Sequence, residues 1–192
     1  MILETIVTTS SPDGNHHIAP MGVHVIDESY LIMPFRPSTT LDNLVATRCA
    51  VINATDDVRI FAGCLTRRRE WPLAKSERVT CARLSEALSH TEVELIRIEE
   101  DALRPKVFCR VIESVNHRSF RGFNRAQFSV IEAAILVSRL HLLPEDKIER
   151  ELAYLSQGLE RTAGPREREA WDWLMAAFAD YQQHRGGKAA TA

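Results

Sequence analysis

The stretch Arg36-Pro37-Ser38-Thr39-Thr40 gathers one guanidinium and three hydroxyls just before Leu41, Leu44 and Val45, which recur at helical spacing. A phosphate is held by charge-assisted hydrogen bonds, and the backbone N–H groups at a helix N-terminus add further donors. The pattern therefore predicts an anion site where a helix begins. A plainer role fits the same residues, with Ser38 capping the helix and Arg36 in a surface ion pair, and spacing does not choose between the two.

A second stretch, His17-Ile18-Ala19-Pro20-Met21-Gly22, places small residues, a proline and a glycine in a strand that would otherwise be bulky. That composition suits a flat ring lying against the backbone, and equally a strand bend or edge where Pro20 removes a ladder donor. His16, His17 and His24 offer imidazoles, but strand alternation points His16 and His17 to opposite faces and no fourth ligand is apparent, so no metal is expected. Cys49, Cys64, Cys81 and Cys109 contain no Cys-x-x-Cys pair and read as reduced, buried thiols. Glu4 and Glu132 read as solvated or paired carboxylates. Asn124-Arg125 either caps a helix or reaches a ligand's edge. No catalytic acid, base or nucleophile stands out, and the catalytic residues are left unassigned.

The elements that must carry these residues can be read from periodicity. Short β-branched runs at 2–9, 17–26, 30–33, 49–53, 92–98 and 106–115 read as antiparallel strands, with Ser11-Pro12-Asp13-Gly14-Asn15 as a turn. A short helix follows Ser38. Residues 60–88 read least clearly, with Phe61-Ala62-Gly63 at a bend and 67–77 as a surface excursion. From Asn124 the period becomes helical, giving three helices, the third starting at Pro165. The fold class is thus α+β, mainly antiparallel β, with a β-rich domain at 1–121, a helical C-terminal segment packed on it at 122–185 and a disordered tail at 186–192.

The whole-chain balance agrees with a folded, soluble protein. Of 192 residues, 45% are apolar and 26% charged, which is neither the composition of a disordered chain nor that of a membrane protein. A formal charge of −2 gives no field to draw in nucleic acid or an anionic membrane. No apolar run approaches a membrane span and the start carries no signal-peptide pattern, so a cytoplasmic location is expected.

The run Arg36-x-Ser38-x-Thr40-x-x-Asn43-Leu44, preceded by Ile18-Ala19-Pro20-Met21 and followed by Val51-Ile52-Asn53, resembles the flavin-reductase-like FMN-binding split barrel. The match is closer to one branch of it, known from archaea and from bacteria that use tetrahydromethanopterin. Shared with that branch are Glu4 to Thr9, the Ala-Pro-Met-Gly-Val strand at 19–23, the Phe-Arg-Pro-Ser-Thr-Thr turn at 35–40, Gly122 to Ala126 and Thr162 to Gly164.

The resemblance implies an FMN-binding split barrel with a C-terminal helical segment, acting as a homodimer whose subunits share the FMN cleft. It implies FMN contacts from His17, Ala19, Pro20, Met21, Arg36, Ser38, Thr39, Thr40, Asn43, Asn124 and Arg125. The function implied is an FMN-dependent oxidoreductase acting on a small molecule or cofactor, with tetrahydromethanopterin chemistry as the family context. The alternative is a non-catalytic flavin-binding or electron-carrier protein. Arg36 stands where many such reductases have Lys, and its planar fork suits phosphate at least as well. No dinucleotide-type Gly-rich turn is present, so a nicotinamide site is not recognisable.

Overall fold

The computed structural model describes residues 1–189. The chain opens with β1 (Ile2–Ser10), β2 (His16–Ile26) and β3 (Ser29–Ile32), then α1 (Thr39–Thr47), β4 (Cys49–Ala54) and α2 (Arg59–Leu65). A two-strand ribbon of β5 (Leu73–Ala74) and β6 (Arg83–Leu84) precedes the long hairpin of β7 (Ser89–Glu99) and β8 (Lys106–Asn116). The helices α3 (Arg125–Ser138), α4 (Glu145–Thr162) and α5 (Pro165–Ala189) complete it. Six antiparallel strands close a barrel in the order β1-β2-β3-β8-β7-β4, with β4 returning to β1. The expected α+β class, six-strand barrel and C-terminal helices are all present.

Contacts divide the chain into two compact units. The first is Met1–Asp56 with Glu70–Phe120, and the second is Asp57–Arg69 with the chain from Arg121 onward. In the first unit, strand alternation sends Val7, Val23, Ile32, Ala50, Ile52, Val93, Leu95 and Val107 into the barrel, where Leu41 and Leu44 of α1 join them. The β1–β2 turn is the one the sequence predicts. Gly14 takes φ 83°, a conformation that side chains disfavour, and its N–H donates to the Ser11 carbonyl at 2.9 Å.

Of the expected surface excursion at 67–77 only Ser76 is buried, but Cys81, Ala82, Leu84 and Ala87, which follow it, are buried and cover the outer face of β1 and β4. Thr8 Oγ1 donates to the Ala82 carbonyl at 2.5 Å, and Asn53 Oδ1 accepts the Leu84 N–H at 2.8 Å. This cover explains why β1 is buried on both faces from Thr5 onward.

The second unit is a helical cluster cored by Ala62, Val130, Ala133, Ile148, Leu152, Leu155, Trp171 and Leu174. The sequence reading puts residues 57–69 with the barrel and gives 61–63 a bend, whereas 59–65 form α2 and 57–69 belong to this second unit. The physical reason is that Ile60, Phe61, Ala62, Gly63 and Cys64 are all buried, so the helix has no polar face and no readable period. Asp57 fixes its start, accepting from the Arg59 N–H at 3.1 Å and from its Nε and Nη2 at 2.9 and 2.7 Å. The tail expected from 186 begins inside the bounds of α5, and 190–192 lie outside the described residues.

Candidate functional site

Local sequence dictates how α1 begins. Ser38 is extended at φ −155° and ψ 138°, and its Oγ accepts the Leu41 N–H at 3.2 Å. Residues three and four apart share a helix face, so Thr40, Leu41, Asn43 and Leu44 turn together toward the barrel and are buried. Thr40 is 2% exposed, and Asn43 Nδ2 donates to Thr9 Oγ1 of β1 at 3.0 Å. These two candidates therefore anchor the helix, while Arg36 and Thr39 are exposed and Ser38 is half-buried. The N–H groups of Thr39 and Thr40 open the helix, where the geometry provides no intrahelical acceptor.

Arg36 is positioned by the tip of the β7–β8 hairpin. Its N–H donates to the Leu103 carbonyl at 2.9 Å, and its Nη2 donates to Glu100 Oε2 at 2.6 Å. Both plain roles, the helix cap and the surface ion pair, are thus realised, yet neither uses up the site. The Glu100 side chain is 72% exposed and that of Arg36 41%, so water or another anion can replace this partner at small cost.

Arg36, Glu100, Asp101 and Ala102 border a shallow depression. Asp101 accepts the N–H groups of Arg104 and Leu103 at 2.6 and 2.8 Å, which hold its carboxyl below the usual carboxylate range. Arg104 is a residue the sequence reading misses. Its guanidinium donates to the Met33 carbonyl at 3.2 Å and lies 4.6 Å from the centroid of the Phe35 ring, so two guanidinia flank the segment leading into α1. The available signal was the Arg104-Pro105-Lys106 run at the hairpin tip.

On β2, His17, Ala19, Pro20 and Met21 are all half-buried, and α1 packs against this strand and β1. The small residue after Met21 has a cause within the chain. A Cβ on Gly22 would lie 3.1 Å from Ile2 Cγ2 and 3.5 Å from Glu4 Oε1, side chains of the paired strand. Thr5 Oγ1 donates to the Met21 carbonyl at 2.9 Å and fixes the strand there. His16 is exposed and bonded to Ser10 through Nδ1 at 2.7 Å. Among the described residues no three His, Cys, Asp or Glu side chains gather where a metal could be held.

Asn124 and Arg125 lie in the second unit. Asn124 Oδ1 accepts the Ala126 N–H at 2.8 Å and its Nδ2 donates to the Thr162 carbonyl at 3.1 Å, so it caps α3 and ties that start to the end of α4. Gly164 donates its N–H to Glu167 Oε2 at 2.9 Å, which closes the turn into α5. Arg125 lines a cavity with Phe128, Tyr154 and Arg161.

The sequence reading also passes over a buried polar group. Glu92 and His90 are 0% and 2% exposed on the outer face of β7. The Glu92 carboxylate accepts the N–H groups of Glu77, Arg78 and Val79 at 2.6, 2.7 and 2.9 Å, and His90 Nε2 lies 3.1 Å from it. Burial opposes its charge, but these donors outweigh burial and keep the carboxyl below its ordinary range. His90 Nδ1 meets His117 Nε2 at 2.8 Å, and burial, then Arg83 and His90, depress His117. The signal was the register, which sets Glu92 opposite the outward, apolar Val51.

Comparison with other proteins places this architecture. No protein of curated function matches the sequence. The structure is similar to that of an FMN-bound protein from Methanosarcina mazei, with a TM-score of 0.78 at 19% identity over 92% of this chain and 94% of that one. A split-barrel-domain protein from Shewanella frigidimarina gives 0.54 at 13% identity over 65% and 74%. The 2-nitrobenzoate 2-nitroreductase of Pseudomonas fluorescens gives 0.52 at 18% identity over 59% and 64%. The barrel therefore has a split-barrel fold like those of these proteins. Residues 3–118 match the model of the N-terminal domain, and residues 124–176 the second model, of the family described as protein of unknown function (DUF447), and the chain belongs to that family.

Proposed function

We propose that this chain is an FMN-binding flavoprotein and works, as a homodimer, as an oxidoreductase on a small molecule or cofactor. The observation that carries the reading is the donor set at the start of α1, on a fold shared along 92% of the chain with an FMN-bound protein of the same family. A phosphate monoester brings roughly two negative charges and three acceptor oxygens. The exposed Arg36 guanidinium, the Ser38 and Thr39 hydroxyls and the first N–H groups of α1 fit that group, with Arg104 as a second cation. Glu100 is the competitor that phosphate displaces.

When bound, FMN supplies electron transfer through its isoalloxazine ring. The chain's own part is to bind and orient it. Ala19, Pro20 and Met21 offer a half-exposed strand of modest bulk for a flat ring, and Thr5 keeps that strand from shifting. That face stays partly open in one chain, which is why a second subunit is proposed to close it. The organisms that share the motifs make reduced pterins the first exchange partners to test.

Titration of purified protein with FMN and with riboflavin, followed by visible absorbance, tests the reading. One FMN per subunit and a clear preference over riboflavin are expected. Equal affinity for the two would remove the role given to Arg36, Ser38 and Thr39.

A further inference from the structure

Cys49 opens β4 and Cys81 belongs to the segment that covers that strand, so the fold brings together two thiols far apart in sequence. Their sulfurs lie 3.0 Å apart, with Cys49 7% exposed and Cys81 fully buried. A disulfide needs about 2.0 Å between sulfurs, so closing one asks for an approach of only ~1 Å. Cys49 also borders a cavity of about 310 Å³ lined by Thr47, Arg48, Arg78, Thr80 and Glu94. The cavity suits a reactant of a few atoms better than a peptide-sized disulfide.

The surroundings give the two sulfurs different states. Hydrogen bonding from Cys81 draws the Cys49 thiol down to about 5, against burial and with help from Thr80 and Thr47. The same contact, then burial, pushes Cys81 up, with Ser10 acting against it. Of the charged groups at the cavity, Arg48 donates to the Leu95 carbonyl at 2.7 Å, Glu94 is paired with Arg110 at 2.5 Å, and Arg78 faces Glu113 at 3.7 Å. Cys49 is therefore the more acidic sulfur of the pair and Cys81 the less. Burial instead pushes Cys64 up to about 11, against Arg69, and Cys109 up to about 12.

We propose that Cys49 and Cys81 form a peroxide-reactive dithiol, in which Cys49 attacks a small hydroperoxide and Cys81 then closes a Cys49–Cys81 disulfide. In the first step the Cys49 sulfur forms an S–O bond, the O–O bond breaks, and the departing oxygen takes a proton from water and leaves as ROH. In the second step Cys81 sulfur attacks Cys49 sulfur, the S–O bond breaks, and the hydroxyl leaves with the Cys81 proton as water. Two electrons pass from the sulfurs to the hydroperoxide. An external dithiol restores the reduced pair by exchange. No flavin takes part in these steps.

The test treats the full-length protein with hydrogen peroxide, counts thiols in denaturant and maps peptides by mass spectrometry. The four thiols should fall to two, with a Cys49–Cys81 cross-link and intact Cys64 and Cys109. Cys81→Ser should halt at a Cys49 sulfenic acid that dimedone traps, and Cys49→Ser should leave every remaining thiol unreacted. The wild-type rate should stay nearly flat between about pH 6 and 8, where an ordinary thiol rises ~10-fold per unit. Four surviving thiols in the wild type, oxidation of Cys64 or Cys109 at a matching rate, or an ordinary pH slope would each overturn the proposal. The wild-type map decides the matter even if a variant does not fold.

Discussion

Replacing Arg36 by alanine is the most direct probe of the proposed phosphate site, and the structure sets the size of the effect. A hydrogen bond to a charged group contributes about 1.5–3 kcal/mol. Part of that is already spent in the free protein, because Arg36 bonds Glu100 at 2.6 Å, a pair whose side chains are 41% and 72% exposed. Exposed pairs contribute up to about 1 kcal/mol, so the net loss on Arg36→Ala should be about 0.5–3 kcal/mol, or roughly 2- to 150-fold in the FMN dissociation constant. Riboflavin lacks the phosphate and should bind the variant as it binds the wild type. Glu100→Gln supplies the opposite sign: with the competing carboxylate gone, FMN should bind up to about 5-fold tighter. Fluorescence-quenching titrations of the three proteins with both flavins measure all of this. An unchanged FMN titration for Arg36→Ala, or equal weakening of riboflavin, would refute the assignment of the phosphate to the start of α1.

Three further outcomes are expected. Glu92→Gln should cost about 1.5–3 kcal/mol in urea unfolding at pH 7, because the N–H groups of 77–79 lose their charged acceptor. Its carboxyl is held below the ordinary 4.5, so wild-type stability from this group is complete above that pH and fades as acid deepens toward the folded value, an acid limb the variant should lack. Asn124→Ala should cost about 1–2 kcal/mol, and Asn124→Asp should keep the cap but lose the tie to the Thr162 carbonyl, both read as thermal shifts. FMN should raise the fraction of dimer in dilute sedimentation runs if the subunits share the cleft, and a monomer binding FMN at full affinity would exclude sharing.

The barrel was legible because its inner face obeys a simple alternation. Val93, between Glu92 and Glu94, and Leu95 of β7 point into the core, and the strand bounds follow from the turn residues on each side. What lay hidden depends on contacts between distant segments. The outer faces of β1 and β4 carry Thr8, Val51 and Asn53, a mixture that reads as ordinary half-solvated strand, and only the cover from residues 70–88 shows them buried. The same cover buries Glu92 and brings Cys81 to Cys49. No local period announces a segment held by side chains of strands that come earlier and later in the chain. α2 escaped for a different reason, since after Arg59 a short run of buried residues has no polar face to set its period.

The run from Arg36 to Leu44 shows how a motif can be right about a place while mixing two kinds of residue. Arg36, Ser38 and Thr39 stand outside or at the helix entrance, where a ligand can reach them. Thr40, Asn43 and Leu44 fall on the opposite, inward face, because their spacing of three and four carries them there. Asn43 then spends its amide on Thr9, which fixes the rotation of α1 against β1. That rotation aims the first N–H groups of the helix, so the inward residues govern the outward site without touching its ligand. Asn43→Ala should therefore weaken FMN and riboflavin together with a loss of stability of about 1–3 kcal/mol, the cost of leaving Thr9 buried without this donor. Arg36→Ala, by contrast, should act on FMN and cost no more than about 1 kcal/mol of stability. A purely FMN-specific effect of Asn43→Ala, with unchanged unfolding, would mean that the amide reaches the phosphate itself and that the helix stands rotated from the orientation described.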